Sequence, residues 1–184
     1  LRHIPGMTIV HPRSPEEAFE LLNYGFFVNT GPFVIRYERG SQKLDKALPI
    51  TTKIATPSWD IIQEGNDVIF ISFGSILEGV IKHTTELELS VKVVNAKFIK
   101  PLDEQMIHAL IVLNKPIIIY EESSLLGGFG SSVIEYLVMH QLPTSHIHLM
   151  GINEQYVSHG AKDELLRELN LDVASIIQKV QELL

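Results

Sequence analysis

The chain has 184 residues, of which 45% are hydrophobic and 20% charged, a composition typical of one globular domain or of a small domain with part of another. A formal net charge of −7 argues against a nucleic-acid-binding protein, which would need a basic surface. The chain has no cysteine, so disulfides and thiolate metal sites are excluded. No apolar stretch approaches the roughly 20 residues of a membrane span, and the first residues lack the layout of a signal peptide.

The start of the chain predicts one β-α-β unit. Residues 7–12 (MTIVHP) indicate a short strand, residues 14–27 a helix, and residues 33–37 (FVIRY) the next strand. Ser14 is the expected N-cap of the helix, and Glu17 would complete a capping box. Since one such unit is too small to bury its own sheet, it is interpreted as the end of another domain.

The pattern stops at residues 38–57, which are polar, contain two prolines and are interpreted as a linker or a long surface connection. Beyond them, strands and helices alternate. Strands are predicted at 60–63, 68–73, 91–99, 116–122 and 147–152, and helices at 75–87, 103–113, 131–140, 161–169 and 173–183. Ser75 with Glu78 predicts a second capping box, and Asp103 and Asp172 are expected to cap two later helices.

Two of the predicted strands are almost continuously apolar, VIFISF (68–73), which contains one serine, and PIIIYEE (116–122), which ends in two glutamates. A continuous apolar strand indicates burial on both faces, as in a parallel sheet that is flanked by helices. The fold class predicted from about residue 58 onward is therefore an α/β sandwich with a mostly parallel sheet.

A glycine cluster, GGFG (127–130), lies between a predicted strand and a predicted helix, where backbone N–H groups can bind phosphate. Its spacing matches neither the dinucleotide fingerprint nor the P-loop. The preferred interpretation is a tight turn that lets the helix pack close to the sheet. Glu121 and Glu122 precede it and would point to opposite faces of their strand, so they are interpreted as a strand end rather than as an acid–base pair.

The histidines do not form an evident site. His146 and His148 could share one face of a strand, but no third metal ligand stands at a useful spacing. His159 could face a cleft or orient a turn. The histidines at positions 83, 108 and 140 lie on predicted helices and are interpreted as surface residues.

The stretch VIRYERG (34–40) places two arginines where a strand leaves the sheet. A guanidinium there can form two parallel hydrogen bonds with a phosphate or a carboxylate. Alternatively, Arg39 pairs with Glu38 or another surface acid, an interaction that contributes little. The spacing leaves both alternatives open.

Several motifs occur in the order seen in one enzyme family, and together they cover essentially the whole chain. They are LRHIPGMTIVHP (1–12), GP-x-x-x-RY-x-RG (31–40), KFIKPLDE (97–104), EESSLLGGFGSSV (121–133) and a closing HG before a short helical tail. On these residues the chain resembles the carboxyl-terminal third of the 1-deoxy-D-xylulose-5-phosphate synthases, thiamine-diphosphate enzymes of the transketolase superfamily. The resemblance implies a fragment of a longer protein.

The resemblance also implies a domain organisation and a site. Residues 1–40 would be the end of a pyrimidine-binding domain, 41–57 a linker, and 58–184 a transketolase carboxyl-terminal domain. The family condenses pyruvate with glyceraldehyde 3-phosphate, releases carbon dioxide and feeds isoprenoid precursor synthesis. By position, Arg39 would contact the phosphate of the acceptor substrate, with Arg36 in a supporting role. Glu38 stands where the family usually has proline, which places an extra negative charge beside that phosphate.

The residues that hold thiamine diphosphate and Mg²⁺ in the family, and its acid–base histidines, lie upstream of this segment. No catalytic, cofactor-binding or metal-binding residue is therefore expected here, and the isolated fragment is expected to be inactive. The full-length enzyme would be a cytoplasmic homodimer that acts on small molecules and binds neither nucleic acid nor membrane.

Two alternatives remain open. The first is the β subunit of a 2-oxo-acid dehydrogenase E1 component, which shares the carboxyl-terminal fold but usually lacks RY-x-RG. The second is a non-catalytic anion-binding or dimerisation module that uses the helix start near Ser131. Val133 and Leu137 could then form a subunit interface, or they could belong to the core.

Overall fold

The structure is a computed structural model that describes residues 1–38 and 52–184. Its first elements are the strand β1 (Thr8–Val10), the helix α1 (Pro15–Phe27) and the strand β2 (Phe33–Ile35). β1 and β2 pair in parallel. The β-α-β unit predicted at the start of the chain is therefore confirmed.

The N-cap of α1 is Ser14, whose hydroxyl accepts a hydrogen bond from the backbone N–H of Glu17 at 3.3 Å. The carboxylate of Glu17 accepts from the backbone N–H of Arg13 and from the side-chain amide of Asn95, each at 2.7 Å. Ser14 thus caps the helix as predicted. The reciprocal half of the predicted capping box is wrong, because Glu17 accepts from the N–H of Arg13, one residue before the N-cap, and from Asn95, which ties α1 to a strand far along the chain.

The remaining elements are β3 (Asp60–Gln63), β4 (Val68–Ser72), α2 (Ile76–Glu86), β5 (Val91–Asn95), β6 (Phe98–Lys100), α3 (Glu104–Ile111), β7 (Ile117–Ser124), α4 (Phe129–Met139), β8 (Ile147–Ile152), α5 (Lys162–Glu168) and α6 (Val173–Glu182). Five of these strands form one sheet in the order β3-β5-β4-β7-β8. Four of them, β5, β4, β7 and β8, pair in parallel, and β3 pairs antiparallel with β5 at one edge. The predicted α/β class with a mostly parallel sheet is confirmed.

The single strand predicted over 91–99 is wrong. β5 ends at Asn95, and β6 pairs antiparallel with β1 to form a second sheet in the order β2-β1-β6. Between the two strands, Ala96 donates its backbone N–H to Ser72, whereas the carbonyl of Lys97 accepts from the N–H of His11. The backbone therefore changes its pairing partner from β4 to the end of β1, a change that the local sequence pattern does not reveal.

Hydrophobic side chains are buried on both faces of the five-stranded sheet. Ile71 and Ile119 contribute to the core on one face, and Phe70 and Ile118 to the core on the other. This alternation explains the continuous apolar runs in VIFISF and PIIIYEE. Val133 and Leu137 are buried in the first of these cores.

The β-α-β unit shares a core with the larger sheet. Met7 and Ile9 belong to the same buried cluster as Ile71 and Val133. The predicted division of the chain at residues 40 and 57 stays a prediction, since the segment between them lies mostly outside the described residues. In the described ranges, no helix is both long and apolar enough to cross a membrane.

Candidate functional site

A cavity of about 780 Å³ opens where the first β-α-β unit meets the carboxyl ends of β4, β7 and β8. Open α/β sheets bind ligands at this edge. The polar part of its wall includes His11, Arg36, Glu38, Glu122, His159 and Lys162, and the apolar part includes Phe73, Ile152, Val157, Leu165, Leu166 and Leu169. The cavity thus combines a few charged groups with a largely apolar wall, which is typical of a small-molecule site.

Arg36 is a cation of the cavity wall, and it has no counter-ion among the described residues. It directly follows β2, and its backbone N–H donates to Val10 at 2.8 Å, which fixes where its side chain begins. The guanidinium carbon lies 5.6 Å from the centre of the Phe73 ring, within the range of a cation–π contact. In the described ranges the guanidinium has no ion pair and no hydrogen bond, so its donors remain available for an anion.

His11 lies beside Arg36 at the end of β1 and is only 7% exposed. Its ring centre is 5.0 Å from that of Phe73, and neither ring nitrogen has a hydrogen-bond partner among residues 1–38 and 52–184. Burial lowers the pKa of His11 to about 4, and the positive charge of Arg36 adds to the shift. The imidazole is therefore neutral near pH 7 and leaves a buried donor and a buried acceptor unsatisfied.

Glu38 is held at the amino-terminus of α2. The backbone N–H of Ser75 donates to Glu38 Oε1 at 2.7 Å, and the hydroxyl of Ser75 donates to Oε2 at 2.6 Å. Burial alone would raise the pKa of Glu38, but the hydrogen bonds from Ser75 and the charge of Lys162 outweigh it and lower that pKa below its ordinary value. Glu38 is therefore ionised and occupies the positive end of the helix dipole.

The capping box predicted from Ser75 and Glu78 is wrong. Ser75 makes no side-chain cap bond within α2, because its hydroxyl is used by Glu38. Glu78 instead forms an ion pair with Arg13 at 2.6 Å. The acid that satisfies the start of this helix thus comes from a distant part of the chain.

Lys162, the first residue of α5, joins two carboxylates of the cavity wall. Its Nζ is 2.8 Å from Glu122 Oε2 and 3.2 Å from Glu38 Oε2. Burial alone would lower the pKa of Lys162, but the hydrogen bond and charge of Glu122, with a contribution from Glu38, raise it. Because Lys162 and the helix amino-terminus compensate the two acids, Arg36 gives the described wall an affinity for one anion.

The glycine-rich turn is a packing feature, as preferred from the sequence. Glu121, which is 1% exposed, accepts hydrogen bonds from the backbone N–H groups of Phe129 and Gly130 at 3.0 and 2.9 Å and from Ser123 Oγ at 2.5 Å. An ideal Cβ on Gly128 would lie 2.4 Å from Glu121 Oε2, so only glycine fits there. The amino-terminus of α4 is thus already occupied by a carboxylate, which does not favour an anion-binding module near Ser131.

The histidines do not gather into a metal centre. No group of three or more His, Cys, Asp or Glu residues in the part of the chain that the structure describes could hold a metal ion. His83, His108 and His140 are exposed on their helices or helix ends, as expected. His159 lines the cavity, which agrees with the alternative that it faces a cleft.

Of the two arginines singled out in the sequence, Arg36 lies in the cavity, whereas Arg39 falls outside the described residues. The position of Arg39 therefore stays a prediction. Sequence reasoning missed the roles of His11 and Lys162. The signal for His11 is a histidine that directly follows the apolar residues Ile9 and Val10, whereas nothing local distinguishes Lys162.

The sheet order and the cavity at the strand ends define the class of open α/β domains with a ligand site at that edge. Residues 58–176, more than half of the chain, match the family described as "Transketolase, C-terminal domain". The chain belongs to this family.

Relatives with curated names align with the whole chain. A 1-deoxy-D-xylulose-5-phosphate synthase from Geobacillus sp. (strain WCH70) is 36% identical over 190 residues, covering 100% of this chain and 30% of that protein. A protein of the same name from Listeria monocytogenes serotype 4b (strain CLIP80459) is 35% identical over 187 residues, covering 100% and 31%. The resemblance stated from the sequence motifs is confirmed, and the chain spans about 30% of the length of the curated relatives it matches.

A solved structure named "Split gene transketolase, inactive beta4 tetramer" has the same fold. It superimposes with a TM-score of 0.81 at 21% identity, over 99% of this chain and 59% of that chain. At this identity the likeness shows the fold alone. The order and pairing of the strands described above are thus those of a transketolase-type architecture.

Proposed function

We propose that the chain is the carboxyl-terminal part of a thiamine-diphosphate-dependent transferase that condenses pyruvate with glyceraldehyde 3-phosphate to 1-deoxy-D-xylulose 5-phosphate, with loss of carbon dioxide. The names of the relatives that align over the whole chain support this proposal. The structural observation that carries it is Arg36, whose guanidinium has no counter-ion among the described residues and lies in a cavity at the ligand-binding edge of the sheet.

The proposed role of the arginines is to bind the phosphate of the acceptor substrate. A guanidinium and a phosphate form charge-assisted, paired hydrogen bonds. Arg39, three residues after Arg36, would make the principal contact, and Arg36 would support it from the cavity wall. Glu38 does not neutralise Arg36 in the structure, because its carboxylate is held by Ser75 and Lys162.

The cofactor is proposed to be held elsewhere in the full-length protein. Thiamine diphosphate binds through a Mg²⁺ ion that needs several oxygen ligands, and no described group of acidic or histidine side chains fits such an ion. The described residues do not fit the cofactor's diphosphate end, so they are assigned to acceptor binding and domain packing. A cytoplasmic homodimer is the proposed form of the full-length enzyme.

Replacing Arg39 by alanine in the full-length enzyme is expected to raise the KM for glyceraldehyde 3-phosphate about tenfold, as loss of a charge-assisted pair predicts. Arg36→Ala is expected to act in the same direction with a smaller effect. The KM for pyruvate should hardly change, since pyruvate carries no phosphate. Steady-state kinetics with each substrate varied in turn would measure both constants.

The matched control is Arg167→Ala, because Arg167 is an exposed arginine of α5 that does not line the cavity. It should leave both KM values unchanged. Equal increases in the two KM values in the Arg39 or Arg36 variant would contradict a phosphate-binding role.

The isolated 184-residue chain is expected not to decarboxylate pyruvate, even with added thiamine diphosphate and Mg²⁺. The reaction needs a cofactor held in one conformation between domains, and the proposed cofactor-binding residues lie outside this segment. A coupled assay for carbon dioxide release would test this. Turnover above the rate of the free cofactor would overturn the assignment.

A further inference from the structure

The cavity contains two places that attract an anion. The first is the guanidinium of Arg36, which has no counter-ion in the described ranges. The second is formed by the backbone N–H of Ser75, the hydroxyl of the same residue and the ammonium of Lys162, and the carboxylate of Glu38 occupies it at 2.6 to 3.2 Å. We call this second place the Ser75–Lys162 point.

The unpartnered imidazole of His11 is a second, independent observation, and it indicates that polar groups of a ligand bind next to the Ser75–Lys162 point. An ideal Cβ on Gly74 would lie 2.8 Å from Glu38 Oε1 and 3.2 Å from His11 Nε2, so both groups approach the same backbone position. The imidazole is buried and lines the cavity, and in the part of the chain that the structure describes neither nitrogen has a hydrogen-bond partner. A neutral imidazole next to this point offers one donor and one acceptor to a hydroxylated ligand.

The charges of the described wall determine how many anionic groups the cavity can hold. Lys162 is shared between Glu38 and Glu122, and Ser75 is used by Glu38. A second phosphate would have to displace the Glu38 carboxylate, which would leave that charge partly buried without its partners. Such a penalty against one class of ligand is how binding sites obtain specificity.

We propose that Glu38 is a specificity-determining residue: its carboxylate fills the Ser75–Lys162 point as an internal anion, so the cavity accepts organic ligands with one phosphate group and excludes those with two. This inference rests on the proposed function, since it takes Arg36 as part of the acceptor-phosphate site. It deepens that proposal by restricting the acceptor to monophosphorylated, hydroxylated compounds.

The test compares two probes, glycerol 3-phosphate and 2,3-bisphosphoglycerate, on the 184-residue chain. The dissociation constant is measured by titration, with the backbone amide signal of Ser75 followed by NMR. In the unmodified chain the bisphosphate should bind no more tightly than the monophosphate, and the Ser75 signal should hardly move. In Glu38→Ala the bisphosphate should bind at least about tenfold more tightly than before, with a large shift of the Ser75 signal.

The matched control is Glu122→Ala, which removes the other carboxylate partner of Lys162 from the same wall but leaves Glu38 on Ser75. It should not produce the tenfold gain. A gain of the same size in this variant would mean that net charge, and not the Ser75–Lys162 point, governs binding, and would overturn the proposal.

Glu38→Gln is a second variant for the case that Glu38→Ala does not fold. It keeps the side-chain volume and one hydrogen-bond acceptor while removing the charge. The bisphosphate should again gain affinity, to a smaller extent. If neither variant binds the bisphosphate more tightly, the proposal is wrong. A failure of the proposed function can be distinguished from a failure of this inference. If the proposed function is wrong, Arg36→Ala leaves the binding of the monophosphate unchanged, whatever the Glu38 variants do.

Discussion

Glu121→Ala is expected to lower the free energy of unfolding by about 3 kcal/mol or more. The carboxylate is buried and accepts hydrogen bonds from the backbone N–H groups of Phe129 and Gly130 and from the hydroxyl of Ser123. Its removal leaves two buried backbone donors without an acceptor, each at a cost of about 1–3 kcal/mol. The turn that closes over the carboxylate at Gly128 also loses its contact.

Urea denaturation followed by circular dichroism would measure this loss. The control is Glu122→Ala, the adjacent residue on the opposite face, whose side chain is 26% exposed and pairs with Lys162. Its loss should cost about 1 kcal/mol or less, as for other solvent-accessible ion pairs. Similar losses for the two variants would contradict the role given to Glu121 at the start of α4.

His11 is expected to make the fold sensitive to mild acid. The unfolded chain binds a proton at this residue below about pH 6.5, whereas in the folded chain burial and Arg36 lower the pKa of His11 to about 4. Protonation of His11 therefore favours the unfolded state. The contribution of the neutral imidazole to the free energy of unfolding is fully present above pH 6.5 and is lost as the pH falls through 4. Its size is about 3 kcal/mol in total, of which about 2 kcal/mol is lost between pH 7 and pH 5.

His11→Phe should remove this dependence. The phenyl ring can keep the contact with Phe73 and leaves no nitrogen unsatisfied, so stability at pH 7 should be unchanged or higher. Denaturation curves at pH 7 and pH 5 for the unmodified chain and the variant give the difference directly. His159→Phe, at an exposed residue of the same cavity, serves as the control. An equal loss between the two pH values in the unmodified chain and in His11→Phe would rule out this role for His11.

Features with a local cause could be predicted from the sequence. Ser14, Asp103 and Asp172 each accept a hydrogen bond from a backbone N–H in the first turn of their helix, as their residue types and positions predicted. The apolar runs of β4 and β7 indicated burial on both faces, which the structure confirms. These signals depend on neighbours within a few residues, so one sequence is enough to reveal them.

Features with a distant cause could not be predicted. The run 91–99 has the pattern of one strand, but it divides between two sheets, because Ser72 accepts a hydrogen bond from the N–H of Ala96 whereas His11 donates one to the carbonyl of Lys97. Ser75 looked like one half of a capping box, and its partner proved to be Glu38, which lies 37 positions earlier. Such pairs are fixed by the packing of elements, which local patterns do not record.

The candidate site was predicted in part. An arginine at a strand end suits an anion, which points to Arg36, and this residue lines the cavity. From the sequence, the negative charge of Glu38 is expected to repel a bound phosphate. In the structure the Glu38 carboxylate accepts a hydrogen bond from Ser75 and forms an ion pair with Lys162. His11 was missed because it stands inside a strand pattern where burial alone is expected. Arg39 remains a prediction outside the described ranges.

The pairing of β6 with β1 joins strands from both sides of residues 39–51 in one sheet. Met7 and Ile9, which precede that segment, lie in a hydrophobic core formed mostly by residues that follow it. A cut in the backbone anywhere within residues 39–51 would therefore leave two pieces whose strands still pair in one sheet and whose side chains share a hydrophobic core. If two genes encoded these pieces, we would expect the pieces to associate and form the same fold. A gene break at this position would then preserve the architecture.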